Sequence, residues 1–416
     1  MDEEFRLNHY VPQWYQKRFL LAGQSKLFFR DLSPTVYRDA KRRERSANEV
    51  RQRGPASCFA ERDLYTRFLG QSLSVEIERS FFHGIDSKGK GAVEAVANYS
   101  VGNLLGPTFS DFMDYLGTQK LRTPKGLAWV RQQAGPRADR NGILGLMVKN
   151  RAMYHAVWSE CIWQIADASR SSVKFIVSDH PVTVYNRHCG PSSSFCRGVN
   201  DPDVVLSATH TLFPLGLEKL LILTNLTWAR NPYQNPLGAR PNRALTRTGL
   251  FKATDVQTER YLDDREVLEI NFILRARAMR YVAAANPAWL FPEREVSKSE
   301  WRNLGGGLLL MPDPRSIHMG GTTYAVYEDG RSTASDEYGR PPWHPDFEKR
   351  GSSIDEGVAL YRFKGEFARI FGPERRGRQT WGPLAEPARD SDELHAYHLE
   401  EELRNKKLMK GVRKWD

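Results

Sequence analysis

The chain has 416 residues, of which 40% are hydrophobic and 27% are charged, so its composition is that of a globular protein and excludes a disordered or collagen-like chain. No window approaches the roughly 18 consecutive apolar residues of a membrane-spanning helix, and the acidic N-terminus carries no apolar segment, so a cytoplasmic protein without a membrane partner is expected. The net charge of +11 favours a polyanionic partner such as DNA or RNA.

Two segments concentrate the basic charge. They are RDAKRRERSANEVRQR at residues 38–53 and NKKLMKGVRKWD at residues 405–416. Phosphate contact and two solvated faces are equally compatible with such segments, and both alternatives stay open. The predicted nucleic-acid contacts are Arg42, Arg43, Arg45, Lys406 and Lys407.

The four cysteines are too few for a disulfide scaffold in a chain of this length. Cys189 and Cys196 lie near His188, and two thiolates with an imidazole could bind zinc. Their spacing matches no standard zinc site, so two ordinary loop cysteines are the preferred interpretation.

Helical patterns dominate the first 170 or so residues. WYQKRFLLAG (14–23) predicts a short helix that ends at Gly23, and KLFFRDL (26–32) predicts a strand. Further helices are predicted over residues 60–83, 88–105, 109–124 and 141–169, with a break at DSKGKG (86–91).

The pattern then changes to strands. Residues 173–179, 204–216 and 219–226 are rich in apolar and β-branched side chains and are bounded by turn signals, and a helix is predicted over about 254–285. Because helices and strands are segregated, the predicted class is α+β, with a helix-rich N-terminal half packed on a small mixed or antiparallel sheet from the central segment.

Residues 286–416 are rich in glycine, proline and charge. They predict a loop-rich C-terminal extension packed on the core, with a charged terminal helix from about residue 391. The predicted division is therefore a core domain at residues 1–285 and an extension at residues 286–416.

NHYVPQ, at residues 8–13, is the first stretch with candidate chemistry. Pro12 suits the first position of a helix, which would place His9 just before the positive helix N-terminus and keep its imidazole neutral. Gln13 could orient a water molecule or a substrate oxygen. The alternative is structural: His9 caps the helix while Tyr10, Trp14 and Phe19 pack inward.

FIVSDHPV, at residues 175–182, is the second such stretch. Asp179 follows an apolar strand, and acidic side chains at strand ends are favoured catalytic or metal-binding positions because the sheet holds them rigidly. The structural alternative is a turn in which Asp179 bonds the backbone beside Pro181.

Seven segments occur along the chain in the order NHYVPQWYQKRFL, FAERDLYTRF, VEIERSFF, LRTP, FIVSDHPV, TLFPLG and EINF. Segments in this order resemble the domain-of-unknown-function family numbered 4238, which has HYVPQ and SDxP motifs. The resemblance covers roughly residues 5–285. It implies a shared site or structural nucleus at His9, Tyr10, Pro12, Gln13, Ser178, Asp179 and Pro181. Weaker motifs of the resemblance contain Glu78, Arg122 and Asn271.

The leading functional hypothesis is a nuclease-like enzyme of a bacterial or phage-related defence or toxin system. His9 would act as general base or phosphate ligand, Asp179 as acid–base partner or ligand of a divalent metal such as Mg²⁺, and Arg122 would neutralise phosphate charge. One alternative is a non-catalytic module that binds nucleic acid or protein and whose motifs are structural. Another is an enzyme that acts on a small phosphorylated or nucleotide substrate.

Overall fold

The structure is a computed structural model, and it describes residues 7–38, 44–46, 49–65, 82–100, 102–104, 106–206, 209–225, 256–306, 323–326, 330–335, 341–345, 347 and 378–379. Five predicted site residues and the predicted terminal helix lie outside the described residues. Those five are Arg42, Arg43, Glu78, Lys406 and Lys407.

The strands are short, and most lie in two sheets. In the first sixty or so residues they are β1 (Leu7–His9), β2 (Leu27–Asp31), β3 (Val36–Arg38), β4 (Glu44–Ser46), β5 (Val50–Arg53) and β6 (Ala60–Arg62). The central strands are β7 (Ile162–Asp167), β8 (Val177–Ser178), β9 (Thr183–Asn186), β10 (Thr209–Pro214), β11 (Lys219–Thr224), β12 (Gln257–Tyr261) and β13 (Tyr281–Ala284). The last described strands are β14 (Thr323–Val326), β15 (Ser332–Ser335) and β16 (Arg378–Gln379).

The helices of the described residues lie mainly between residues 83 and 160. They are α1 (Gln13–Lys17), α2 (His83–Ala97), α3 (Pro107–Arg122), α4 (Pro124–Ala134), α5 (Arg140–Glu160) and α6 (Asp264–Arg277). No helix within the described ranges is both long and apolar enough to cross a membrane.

Two sheets carry the core. A six-stranded sheet has the order β16-β12-β7-β11-β10-β9, and only its β12–β7 pair is parallel. A four-stranded antiparallel sheet has the order β5-β2-β13-β8. Helices from the N-terminal half together with mixed and antiparallel sheets confirm the predicted α+β class.

The predicted break at residues 86–91 is wrong, because α2 runs through it without interruption. The glycines there serve packing. A Cβ on Gly89 would lie 2.5 Å from the ring of Tyr115, so glycine at this position allows α2 and α3 to approach closely.

Three predicted helices contain strands. The helix predicted over residues 60–83 begins instead with β6. Within the helix predicted over residues 141–169, α5 ends at Glu160 and Ile162–Asp167 forms β7, which lies between β11 and β12 in the six-stranded sheet. The predicted helix over 254–285 is α6 flanked by β12 and β13. A capping box, in which Asp263 and Glu266 exchange backbone hydrogen bonds, starts α6 and separates it from β12.

The hydrophobic core continues past residue 285. Trp289, Leu290, Trp301 and Leu304 are buried in the same cluster as the sheet residues. The start of the predicted extension therefore packs on the core, while the division at residue 285 stays a prediction.

Candidate functional site

The HYVPQ motif forms a strand end and a short helix. His9 closes β1, and Pro12 has φ −58° and ψ 144°, so Pro12 precedes the helix instead of occupying its first position, and α1 begins at Gln13. The Nε2 atom of His9 lies 3.0 Å from the carbonyl oxygen of Ala56 and 3.4 Å from Nε2 of Gln13. His9 and Gln13 therefore meet, at the N-terminus of a helix of only five residues.

The rest of the motif is packed inward. Tyr10, Val11, Tyr15 and Phe19 are all buried. Gln16, also buried, donates from Nε2 to the carbonyl oxygens of Val11 and Cys58, at 2.8 and 3.1 Å. These contacts fix the chain from β1 into α1 against the core.

Asp179 is buried and bonds backbone groups. Its Oδ1 accepts from the N–H of Met279 at 2.8 Å, and its Oδ2 accepts from Arg280 and Tyr281 at 2.6 and 2.8 Å. Burial raises its pKa against the lowering effect of these three donors. The arrangement accounts for Asp179 without a metal or a substrate, and its predicted catalytic and metal-binding roles stay predictions.

No hydrogen bond joins Asp179 to His9 or Gln13, all three of which are described residues. The two motifs are nevertheless neighbours through Tyr10: burial, and then the charge of Asp179, raise the pKa of the Tyr10 hydroxyl well above its usual range.

Arg122 and Asn271 are also buried. Arg122 donates to Gln119 and forms an ion pair with Asp86, at 2.7 and 2.8 Å. Asn271 accepts from the N–H of Ile176 and donates to the carbonyl oxygen of Lys174, so it joins α6 to the segment before β8. The structure places neither side chain beside His9.

A buried polar cluster lies beside the SDxP motif, at the junction of α3 and α4. Thr123 caps α4 by accepting from the N–H of Gly126, and Pro124 occupies the first helical position. A Cβ on Gly126 would lie 2.3 Å from the carbonyl oxygen of Lys120, so the junction is tight. This sharp turn brings Lys120 and Lys125 together.

Asp201 lies between the two lysines. Its Oδ2 accepts from Nζ of Lys120, and its Oδ1 accepts from Nζ of Lys125 at 2.6 Å. His180 completes the cluster, because its Nε2 lies 2.8 Å from Lys120 Nζ and 3.0 Å from Asp201 Oδ2, and its Nδ1 lies 2.8 Å from Thr123 Oγ1. A charged Lys120 can only donate, so Nε2 accepts from it and the proton of the neutral ring lies on Nδ1.

Burial shifts the protonation of this cluster strongly. Burial lowers the pKa of Lys120 to about 8, against the opposing charge of Asp201. Burial, and then the charge of Lys120, lower the pKa of His180 to about 3. Burial opposes ionisation of Asp201, but Lys120 and Lys125 hold the pKa of its carboxyl well below its usual range.

The cluster opens into a cavity of about 370 Å³, here called the first cavity. Lys120, Lys125, His180 and Asp201 line one part of it. Side chains from α4, α5 and the β9–β10 loop line the rest, among them Trp129, Asn150, Tyr154 and Phe195. The side-chain Nδ2 of Asn150 is buried and has no hydrogen-bond partner among the described residues.

These cluster residues were missed at the sequence level, although two of the motifs lie beside them. Lys120 and Lys125 flank the LRTP stretch, and His180 is the variable position of SDxP. The signal available in the sequence was these two lysines, one on each side of a predicted helix end. Asp201 gave none, because only the path of the β9–β10 loop brings it to the lysines.

Within the described residues, no group of three or more His, Cys, Asp and Glu side chains is placed to hold a metal ion. Comparisons with family models, curated proteins and solved structures find no match for the chain. The resemblance carried by HYVPQ and SDxP therefore stays a prediction.

Proposed function

We propose that the chain binds a small nucleotide-class molecule in the first cavity. One observation carries the proposal, namely a cavity of about 370 Å³ with two buried lysines and an aspartate at one end. This volume lies within the range typical of pockets that enclose small molecules and cofactors.

The charge of the buried end favours an anionic ligand. Lys120 and Lys125 together carry two positive charges against the single negative charge of Asp201, while His180 is neutral. The excess of one positive charge attracts an anion. Asp203, an exposed lining residue, adds negative charge elsewhere in the cavity. A molecule with both an anionic and a neutral polar part suits this distribution better than a bare anion does.

The walls favour a planar ring. Trp129, Tyr154 and Phe195 line the cavity, and stacking of a base on an aromatic side chain contributes about 1–3 kcal/mol. The unpartnered Nδ2 of Asn150 supplies a donor that a ring nitrogen or carbonyl oxygen could satisfy.

Lys120 acts on a ligand through its charge. Its three N–H donors are taken by Asp201, by His180 and by the carbonyl oxygen of Val182. Since its pKa is about 8, its charged form predominates at neutral pH and adds to the positive charge of the cavity.

Calorimetric titration with AMP tests the proposal on the full chain. Trp129→Ala and Lys120→Met should each weaken AMP binding about tenfold or more, because each removes a stacking or charged contact worth about 1–3 kcal/mol. Trp343→Ala and Lys149→Met are matched controls at exposed positions and should leave the affinity unchanged. Absence of AMP and adenosine binding to the wild type would refute the proposal.

Nucleic-acid binding is a second candidate function, and the β3–β4 hairpin favours it. Val36 and Tyr37 of β3 are 62% and 53% exposed, and the antiparallel register places Arg45 opposite Tyr37. An exposed aromatic residue beside basic residues is typical of surfaces that hold single strands.

Fluorescence anisotropy with a labelled single-stranded oligonucleotide tests this second candidate. Tyr37→Ala and Arg45→Ala should weaken binding, whereas Lys90→Ala, which removes one exposed charge from α2, should not. The same samples, with and without Mg²⁺, test the nuclease prediction. Equal hydrolysis by the wild type and His9→Ala would contradict the predicted role of His9.

A further inference from the structure

A second cavity, of about 330 Å³, adjoins the first. The two cavities share Lys125, Val199 and Asn200 as lining residues. The remaining lining comes from the β9–β10 loop and the end of α6, and includes Cys196, Arg277 and Met279.

The charge of this second cavity is unbalanced. Two of its lining residues are the cations Lys125 and Arg277, which are only 6% and 3% exposed, and none of the described residues that line it is acidic. A buried cation is costly unless an anion or several acceptors compensate it.

Arg277 is compensated only in part. Its Nη2 donates to the carbonyl oxygen of Cys189 at 2.6 Å, and its guanidinium carbon lies 4.9 Å from the ring centroid of Trp301. The guanidinium also forms a hydrogen bond with the thiol of Cys196. Its buried Nε has no hydrogen-bond partner, and no carboxylate among the described residues forms an ion pair with it. Donors therefore remain for a ligand.

Lys125 also retains a free donor. Its Nζ donates to Asp201 Oδ1 at 2.6 Å and to the carbonyl oxygen of Arg277 at 2.9 Å. An ammonium group has three N–H donors, so one is left after these two described acceptors.

We propose that the second cavity is an oxyanion subsite in which Lys125 and Arg277 bind a phosphate group. A guanidinium and an ammonium are the donors that phosphate oxygens prefer. Because Lys125 lines both cavities, a nucleotide with its ring in the first cavity can place its phosphate in the second. This joint occupancy rests on the proposed function, whereas the oxyanion subsite does not.

Cys196 provides a direct readout, because its thiol lines the second cavity. The full chain is alkylated with iodoacetamide, and mass spectrometry follows the reaction at each cysteine. Titration with inorganic phosphate should slow the alkylation of Cys196 about tenfold, because a bound anion blocks access to the thiol and disfavours the thiolate. Cys161, at the end of α5, is the internal control. Burial raises the pKa of its thiol, so it reacts slowly, and phosphate should leave that rate unchanged. Sodium chloride at matched ionic strength is the solution control.

Arg277→Lys keeps the positive charge but removes the guanidinium donors, and it should abolish most of the protection of Cys196. Thermal melting of this variant shows whether it is folded, and a folded variant with full protection would overturn the proposal. No slowing in the wild type, or equal slowing at Cys196 and Cys161, would also overturn it.

Titrations with AMP and adenosine distinguish the oxyanion subsite from the proposed nucleotide site. Protection of Cys196 by phosphate without AMP or adenosine binding would retain the oxyanion subsite and refute the nucleotide site. Binding of AMP and adenosine with equal affinity, and without protection of Cys196, would retain the first cavity and refute the subsite.

Discussion

His180 shows how burial and a neighbouring charge together set the charge of a side chain. The ring is 1% exposed and lies between Lys120, Asp201 and Thr123. Its pKa falls from 6.5 to about 3, first through burial and then through the charge of Lys120. The imidazole is therefore neutral in the folded chain at all moderate pH values, and it acts as an acceptor that holds Lys120 in place.

The stability of the fold should consequently fall in mild acid. Between pH 6.5 and about 3 the unfolded chain binds a proton at His180 that the folded chain does not, so the free energy of unfolding decreases as the pH falls through this window. One such group contributes about 1.4 kcal/mol per pH unit. In urea unfolding at pH 7, 6 and 5, His180→Gln should reduce the total loss of stability between pH 7 and 5 by about 2 kcal/mol.

His210 gives an independent check of the same effect. Burial, and then the charge of Arg260, lower its pKa to about 3 as well, so His210→Gln should reduce the slope similarly. Parallel slopes for the wild type and both variants would contradict a neutral buried histidine at either position.

At the residue scale, the sequence predicts where polar side chains interrupt apolar stretches, but not what they face. Asp179 directly follows β8, as the apolar stretch before it predicts. Its hydrogen bonds to Met279, Arg280 and Tyr281 could not be foreseen, because these residues lie about 100 positions away. The partnership of Lys120 and Asp201 was hidden for the same reason.

At the element scale, Asp179 joins β8 to the turn between α6 and β13. The backbone pairing of Ser178 with Val282 continues this connection into the four-stranded sheet. A buried carboxylate that accepts several backbone N–H groups stabilises such a junction, since each charge-assisted hydrogen bond contributes about 1.5–3 kcal/mol.

Asp179→Asn should therefore destabilise the fold by about 2–4 kcal/mol, because the amide has only one acceptor oxygen and turns an NH₂ group towards backbone donors. Chemical denaturation measures the change. Asp139→Asn is the matched control, since Asp139 is an exposed helix cap and asparagine caps equally well. An unchanged midpoint for Asp179→Asn would show that the junction does not depend on the carboxylate.

Element boundaries were predictable where local chemistry fixes them. The end of α3 before Pro124 follows from the proline, and β2 follows from alternation in residues 26–32. The strand β7 was not predictable, because its apolar positions also fit a helical period and only its pairing with β11 and β12 decides the outcome.

At the scale of the whole molecule, the class was predictable and the strand order was not. Segregated helical and strand patterns are sufficient to indicate α+β. The pairing of β13 with β2 joins Val282 to Arg30, and no local pattern encodes a contact between residues so far apart in the sequence. The same long-range packing brings residues 287–304 into the common core.

Trp301 tests whether this common core unfolds as one unit. Its ring is 4% exposed and packs against Tyr185 at 5.2 Å, and its Nε1 donates to the carbonyl oxygen of Asn186 at 3.1 Å. Trp301→Ala should lower the stability of the whole core by about 3–5 kcal/mol in a single transition. Trp343→Ala, at a position that is 78% exposed, is the control and should change little. If residues 286–416 instead fold separately, calorimetry of Trp301→Ala will show a second, weaker transition while the main one stays in place.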